Sequence, residues 1–210
     1  MDILTTPSTC PNCLTLDDKI NKIISIEWAM FDAVNKGKEV PRAACQEDPV
    51  TFELMRRAQF EAWSAPMIDS YLADLLVADA EGKNLVERKY LYMMCGPNLE
   101  SMLEQSGLAD HDTTVLVDRI MEQMNAWNEQ LIRNFPALAE HSRPLHSSED
   151  TEYETSMETY ERCELYTYSI TTLRLFDEYI QELRTEKKNL PHMIIRNTYL
   201  LQAQMQDSQS

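Results

Sequence analysis

The stretch SSEDTEYETSMETYERCE, residues 147–164, crowds Glu149, Asp150, Glu152, Glu154, Glu158, Glu161 and Glu164 behind two serines, with Arg162 as its only fixed cation. Carboxylates at this density can clamp a guanidinium or ammonium group, and one of them can move a proton as acid or base. Ser147 and Ser148 add hydroxyls in an irregular loop, where side chains can approach a ligand. Asp150, Glu154, Ser147, Ser148 and Glu164 are therefore the candidate catalytic residues. Glu149, Glu158, Tyr160, Arg162 and Tyr168 are candidate binding residues beside them. Acids ahead of a helix are stabilised by its positive end, which accounts for two or three of these carboxylates but not for all. The expectation is an inward-facing anionic socket.

A second polar oddity lies in DPVTFELMRRAQFEAW, residues 48–63. Phe52, Met55, Gln59 and Trp63 fall on one helical face, with Arg56 beside them. Burying Arg56 and Gln59 costs free energy unless each finds a partner. They read either as a structural ion pair that orders two helices or as the wall of a polar pocket. Tyr160, Glu164 and Tyr168, spaced i, i+4, i+8, would bring a carboxylate and two phenols to the same interior. Glu158 and Arg162 have the favourable i, i+4 order of an ion pair.

Helices must position these groups. Only four glycines occur, strand-favouring runs are nearly absent, and Met, Leu, Ala, Glu, Gln and Arg dominate. The expected fold is all-α: one irregular bundle of about seven helices over residues 17–205, after an arm at 1–16 and before a frayed tail at 206–210. The helical period predicts helices over 17–35, 49–63, 65–81, 85–95, 113–135, 155–187 and 190–204. Asp48 followed by Pro49, Ser64 and Gly82 supply the punctuation. GPNLESMLEQSG reads as a linker with one extra helical turn.

Lys and Arg number 19 against 35 Asp and Glu, giving a net charge of −16. Such a surface attracts cations and repels phosphate backbones and anionic membranes, so a nucleic acid would have to be met on a local basic patch. Arg42, Arg56, Arg57, Arg88 and Lys89 are the best candidates for one. Five cysteines, an odd number, do not make a disulfide framework. Cys10 and Cys13 in CPNC lack the two further ligands that zinc needs. His111, His141, His146 and His192 lack ligand spacing, so no metal and no cofactor is expected. Cys45 and Cys163 read as buried thiols. Neither a signal-like N-terminus nor an apolar run of membrane length is visible, and a cytoplasmic location is expected.

The segments IEWAMFDAV, ACQEDPVTFELMRRAQFEAW, SRPLHSSED and ETSMETYERCELYTYS resemble a family of small helical proteins labelled a domain of unknown function in bacteria. Similar fungal proteins include the arginine-containing cyclodipeptide synthases. The resemblance covers about residues 26–190. It implies an enzyme that takes arginine from arginyl-tRNA and a second amino acid from another aminoacyl-tRNA and joins them into a diketopiperazine. That branch carries two adjacent acids and, after two residues, Glu; here Asp150 and Glu154 hold the ends and Thr151 stands in the second acid's place. The resemblance also brings in Asp48, and it implies a carboxylate base, a Ser147 or Ser148 acyl carrier if one forms, and Arg56 or Arg162 at the oxyanion. Two readings of other classes stand beside it. One is a non-catalytic helical module that binds a cationic small molecule or basic peptide. The other is a protein in which Arg56, Gln59, Glu164 and the 149–154 acids only satisfy one another.

Overall fold

The computed structural model describes residues 14–36, 44–107, 110–151 and 153–207. Among them the fold is all-helical and packs as a single domain. Nine α-helices are present among the described residues: α1 (Leu16–Ala33), α2 (Pro49–Phe60), α3 (Ala65–Ala80), α4 (Leu85–Met94), α5 (Leu99–Ser106), α6 (His111–Asn134), α7 (Met157–Leu165), α8 (Ile170–Thr185) and α9 (Leu190–Asp207). The two additions to the expected seven have local causes. The extra turn at residues 99–106 is a full short helix, closed by Gly107 at φ 71°. The long helix expected at 155–187 is two, because Thr167 and Tyr168 donate backbone N–H groups to Glu164 and Leu165 and end α7. Ser169 then caps α8 through Thr172.

Capping side chains start most of these helices by accepting the first free backbone donors. Asp48 accepts from Thr51 N at 2.9 Å, Asn84 from Glu87 N at 2.8 Å and Asp110 from Thr113 N at 3.1 Å. Thr15 and Asp18 form a reciprocal capping box, so residues 15 and 16, expected in the arm, belong to the start of α1, and residues 1–13 lie outside the described residues. At the other end α9 runs on through Asp207, past the start of the tail expected from 206, and residues 208–210 lie outside the described residues. Asp48, expected among the binding residues, is a cap.

The core joins α1, α2, α3, α6 and α8 through Ile23, Phe60, Met67, Ile68, Leu75, Ile120, Met121 and Leu173, all essentially inaccessible. An aromatic cluster seals one side of it, with Tyr71 and Tyr168 centroids 4.9 Å apart and Phe60 and Trp63 at 5.2 Å. Met55, placed by its spacing on the face of Phe52 and Trp63, is exposed. In α2 the buried residues are instead Arg56, Ala58 and Phe60, so the arginine occupies a core position where the methionine was expected. No described helix is long and apolar enough to cross a membrane.

Candidate functional site

Glu27 is the residue from which the interior site grows. It sits in α1 within the stripe of Ile23, Ile24 and Phe31, where a carboxylate is tolerable only if charge and hydrogen bonds compensate it. Arg56 of α2 meets it with two parallel bonds, Nε to Oε2 at 2.7 Å and Nη2 to Oε1 at 2.5 Å. The same guanidinium donates to Gln59 Oε1 at 2.7 Å and to Glu164 Oε1 at 3.1 Å, and lies 4.8 Å from the Phe60 ring centre. Four of its five N–H groups are thereby accounted for. Tyr71 of α3 donates to Glu27 Oε1 at 2.6 Å. Glu164 of α7 accepts from Tyr168 OH at 2.9 Å and from Lys89 Nζ at 3.2 Å. Lys89 of α4 also reaches Tyr160 OH at 2.8 Å and sits 4.2 Å above that ring.

The result is a buried clasp of two carboxylates and two cations that ties α1, α2, α3, α4 and α7. Burial alone would raise the Glu164 carboxyl, but Lys89 and Arg56 outweigh it and hold the group well below the usual carboxylate range. Burial would lower both cations, and the facing carboxylates hold them above their ordinary values instead. The phenols of Tyr71 and Tyr168 are raised, first by burial and then by the neighbouring carboxylates. With two carboxylates facing two cations, the formal charge of the clasp is zero.

The acids at 149–154 do something else, and the inward socket expected of them is not formed by the described residues. Ser147, Ser148, Glu149, Asp150 and Glu154 are exposed; Glu152 lies outside the described residues. The physical reason is that, beyond one 3₁₀ turn at Ser147–Glu149, this loop has no helix or sheet to satisfy its backbone, so the carboxylates serve as acceptors. Glu149 Oε2 accepts from His146 N at 3.0 Å, Glu158 Oε2 from Ser147 N at 2.8 Å and Asp150 Oδ1 from Ser156 N. Asp150 also takes the Thr159 hydroxyl. Burial opposes ionisation there, but these bonds together prevail and lower its carboxyl. Thr151 N donates to Glu154 O at 2.8 Å, which closes the turn. Neither serine hydroxyl is bonded to a base among the described residues. Arg162 does not pair with Glu158 but reaches Asp118 at 2.5 Å. These residues form an acidic collar on the surface around the start of α7.

Tyr160 joins the two regions. It is half-buried, bonded to Lys89 within, and covered from outside by Arg143, whose guanidinium lies 5.2 Å from its ring. Next to it on the same helix, Glu161 is half-buried and accepts from Asn128 Nδ2 at 3.2 Å. Burial pushes its carboxyl up to about 7, the Asn128 bond opposes this, and Glu164 and Glu158 add to the rise. Asn128 Oδ1 is buried without a partner among the described residues. The collar thus has at its inner edge a carboxyl able to exchange a proton near neutrality.

The family described as proteins of unknown function, DUF4125, matches residues 17–205. The chain belongs to the DUF4125 family. No curated protein and no solved structure matches it. Most of this member's clasp comes from the two longest resembling segments, which carry Arg56, Gln59, Tyr160, Glu164 and Tyr168. Glu27, Tyr71, Lys89, Asn128 and Glu161 do not stand out as site residues in the sequence. Glu27 carried a usable signal, since it stands on the apolar stripe of α1, whereas Lys89 and Tyr71 acquire their roles only through contacts across the bundle. Three of the five basic candidates for a nucleic-acid track are committed elsewhere in this DUF4125 member, and Arg88 is half-buried. Arg56 and Lys89 are buried in the clasp, and Arg57 is held by Asp17, Glu53 and Glu61. Arg42 and the Cys10–Cys13 pair lie outside the described residues. Cys163 is buried, and burial pushes its thiol up to about 12, which suits an inert core cysteine rather than a nucleophile.

Proposed function

We propose that this DUF4125 member is an aminoacyl-tRNA-dependent cyclodipeptide synthase that places arginine in its product, working at the collar rather than in an interior socket. The observation that carries this reading is Glu161, a carboxyl poised near neutrality at the inner edge of exposed carboxylates. In the reading, Asp150, Glu149 and Glu154 receive the guanidinium of the arginyl group, since planar bidentate pairing with carboxylates is what that cation favours. Glu161 takes a proton from the attacking α-ammonium group, for which a base matched to the working pH is best. The freed amine attacks the ester carbonyl of the second aminoacyl-tRNA. A C–N bond forms, the ester C–O bond breaks, and the terminal ribose hydroxyl leaves with a proton. The remaining α-amine then attacks its own ester in the same way and closes the six-membered ring. Because neither Ser147 nor Ser148 is bonded to a base, the reading takes direct aminolysis without an acyl-enzyme.

The test is incubation with arginyl-tRNA and a mixture of other charged tRNAs, with mass detection of cyclic arginine dipeptides. The expected result is a product lost in Glu161→Gln. Thermal stabilisation by arginine derivatives with no tRNA deacylation and no product would instead favour a non-catalytic module for cationic ligands, and would overturn the enzymatic reading.

A further inference from the structure

An acidic protein that handles RNA needs somewhere to accept phosphate, and in the lining of one groove cations outnumber acids. A groove of about 540 Å³ lies between the C-terminal end of α6, the α8–α9 turn and the first turns of α9. Its lining includes Lys187, Lys188 and Arg196 against the single carboxylate of Glu61, a local balance of +2 in a chain of −16. Lys188 is engaged by Glu186 at 2.6 Å, but Lys187 and Arg196 are exposed and have no carboxylate partner among the described residues. Most other exposed cations among the described residues are matched to an acid, as Lys83 is to Glu81 and Arg133 to Glu129. At the mouth, Phe135 is half exposed and packs on His192 with ring centres 5.5 Å apart. Free cations along a groove with an exposed ring beside them are the combination that takes single-stranded nucleic acid, through phosphate contacts and base stacking.

The groove also adjoins the collar. Within α6, Asn128 bonds Glu161 and Glu129 faces His146 at 3.7 Å, while Gln130, Leu131, Asn134 and Phe135 line the groove. Seven residue steps of helix separate the first of these from the last, roughly 10 Å of rise. We propose that this groove binds the single-stranded 3′ end of an RNA, its phosphates on Lys187 and Arg196 and a base on Phe135. The choice of a tRNA acceptor end rests on the function proposed above; the polynucleotide class rests on the groove itself.

Fluorescence anisotropy with a labelled short single-stranded RNA ending in CCA tests this on the full chain. The double variant Lys187→Glu/Arg196→Glu is expected to weaken binding at least tenfold, and to flatten the plot of log affinity against log salt by about 0.7 for each phosphate no longer neutralised. Phe135→Ala is expected to weaken binding with the salt slope unchanged. All three side chains are exposed, and an unchanged melting temperature certifies the fold. Absence of RNA binding, or binding indifferent to the double variant, would overturn the proposal. So would equal competition by polyglutamate, which would assign the groove to an acidic protein segment. RNA bound here without cyclic dipeptide formation would sink only the enzymatic reading; product formation with RNA bound elsewhere would sink only the groove.

Discussion

In the clasp, both oxygens of Glu27 and both of Glu164 meet an N–H or O–H donor, nearly all of them from other helices. In the collar, Glu149 and Asp150 turn back to bond the loop they stand on and leave the rest of their capacity to water. Similar residues thus reach opposite ends. Taking a charge out of water is costly, so a buried carboxylate is retained only where cations and donors surround it, and such a group has no capacity left for a ligand. An exposed carboxylate loses little hydration and stays open to a cationic partner. The difference teaches that density of charge in a sequence does not locate a binding site; unused hydrogen-bonding capacity does.

The sharpest way to break the comparison is to unbalance the clasp. Arg56→Met strands Glu27 and Glu164 and is expected to cost about 3–5 kcal/mol in urea denaturation. A loss below about 1 kcal/mol would mean that the clasp is not what joins these helices. Replacing Glu161 by Gln should do the reverse. Its folded carboxyl titrates near 7, above the ordinary value of 4.5, so the native state holds the proton more tightly than the unfolded chain. The stability from that proton is complete below about 4.5 and lost as pH rises through 7. Glu161→Gln, which imitates the protonated form, should therefore raise stability by about 1–3 kcal/mol at pH 8 and leave it unchanged at pH 4. Cyclic dipeptide formation should fall by about 10²-fold in the same variant. Gain of stability with loss of activity is what a functional rather than structural acid gives.

Asp150→Asn is expected to have a smaller effect, about 1 kcal/mol in thermal melts, because the residue helps hold the start of α7. Glu154→Gln should change stability by less than about 0.5 kcal/mol, as exposed substitutions usually do, yet raise KM for arginyl-tRNA. Unchanged KM in both collar variants would remove the collar from substrate binding. The smallest effect belongs to Lys19→Ala, whose surface pair with Asp69 should contribute under about 1 kcal/mol and less as salt is added.

Much of the fold was legible. Asp48, Pro49 and Gly82 marked helix ends because caps act within one turn of the chain and need no tertiary partner. The split between α7 and α8 was missed because Tyr166 and Tyr168 continue an apolar period through the turn, although Ser169 followed by Thr172 carried the capping signal. At the site, Tyr160, Glu164 and Tyr168 do share the interior that an inward line would give, but Tyr168 reaches Glu164 from the turn after α7 and not by helical spacing. The error lay in the acids ahead of α7: Glu149, Asp150, Glu152 and Glu154, close in sequence, suggested convergence, whereas the backbone of their own segment claimed Glu149 and Asp150.

By itself the sequence determined an all-helical chain, where most helices begin, and that Arg56, Gln59 and Glu164 needed partners, since propensity, caps and periodicity act over a few residues. Only the tertiary structure decided which partners they found. Arg56 lies 29 residues from Glu27 and 108 from Glu164, and whether a charge is neutralised or left open depends on what the bundle brings within about 3 Å of it.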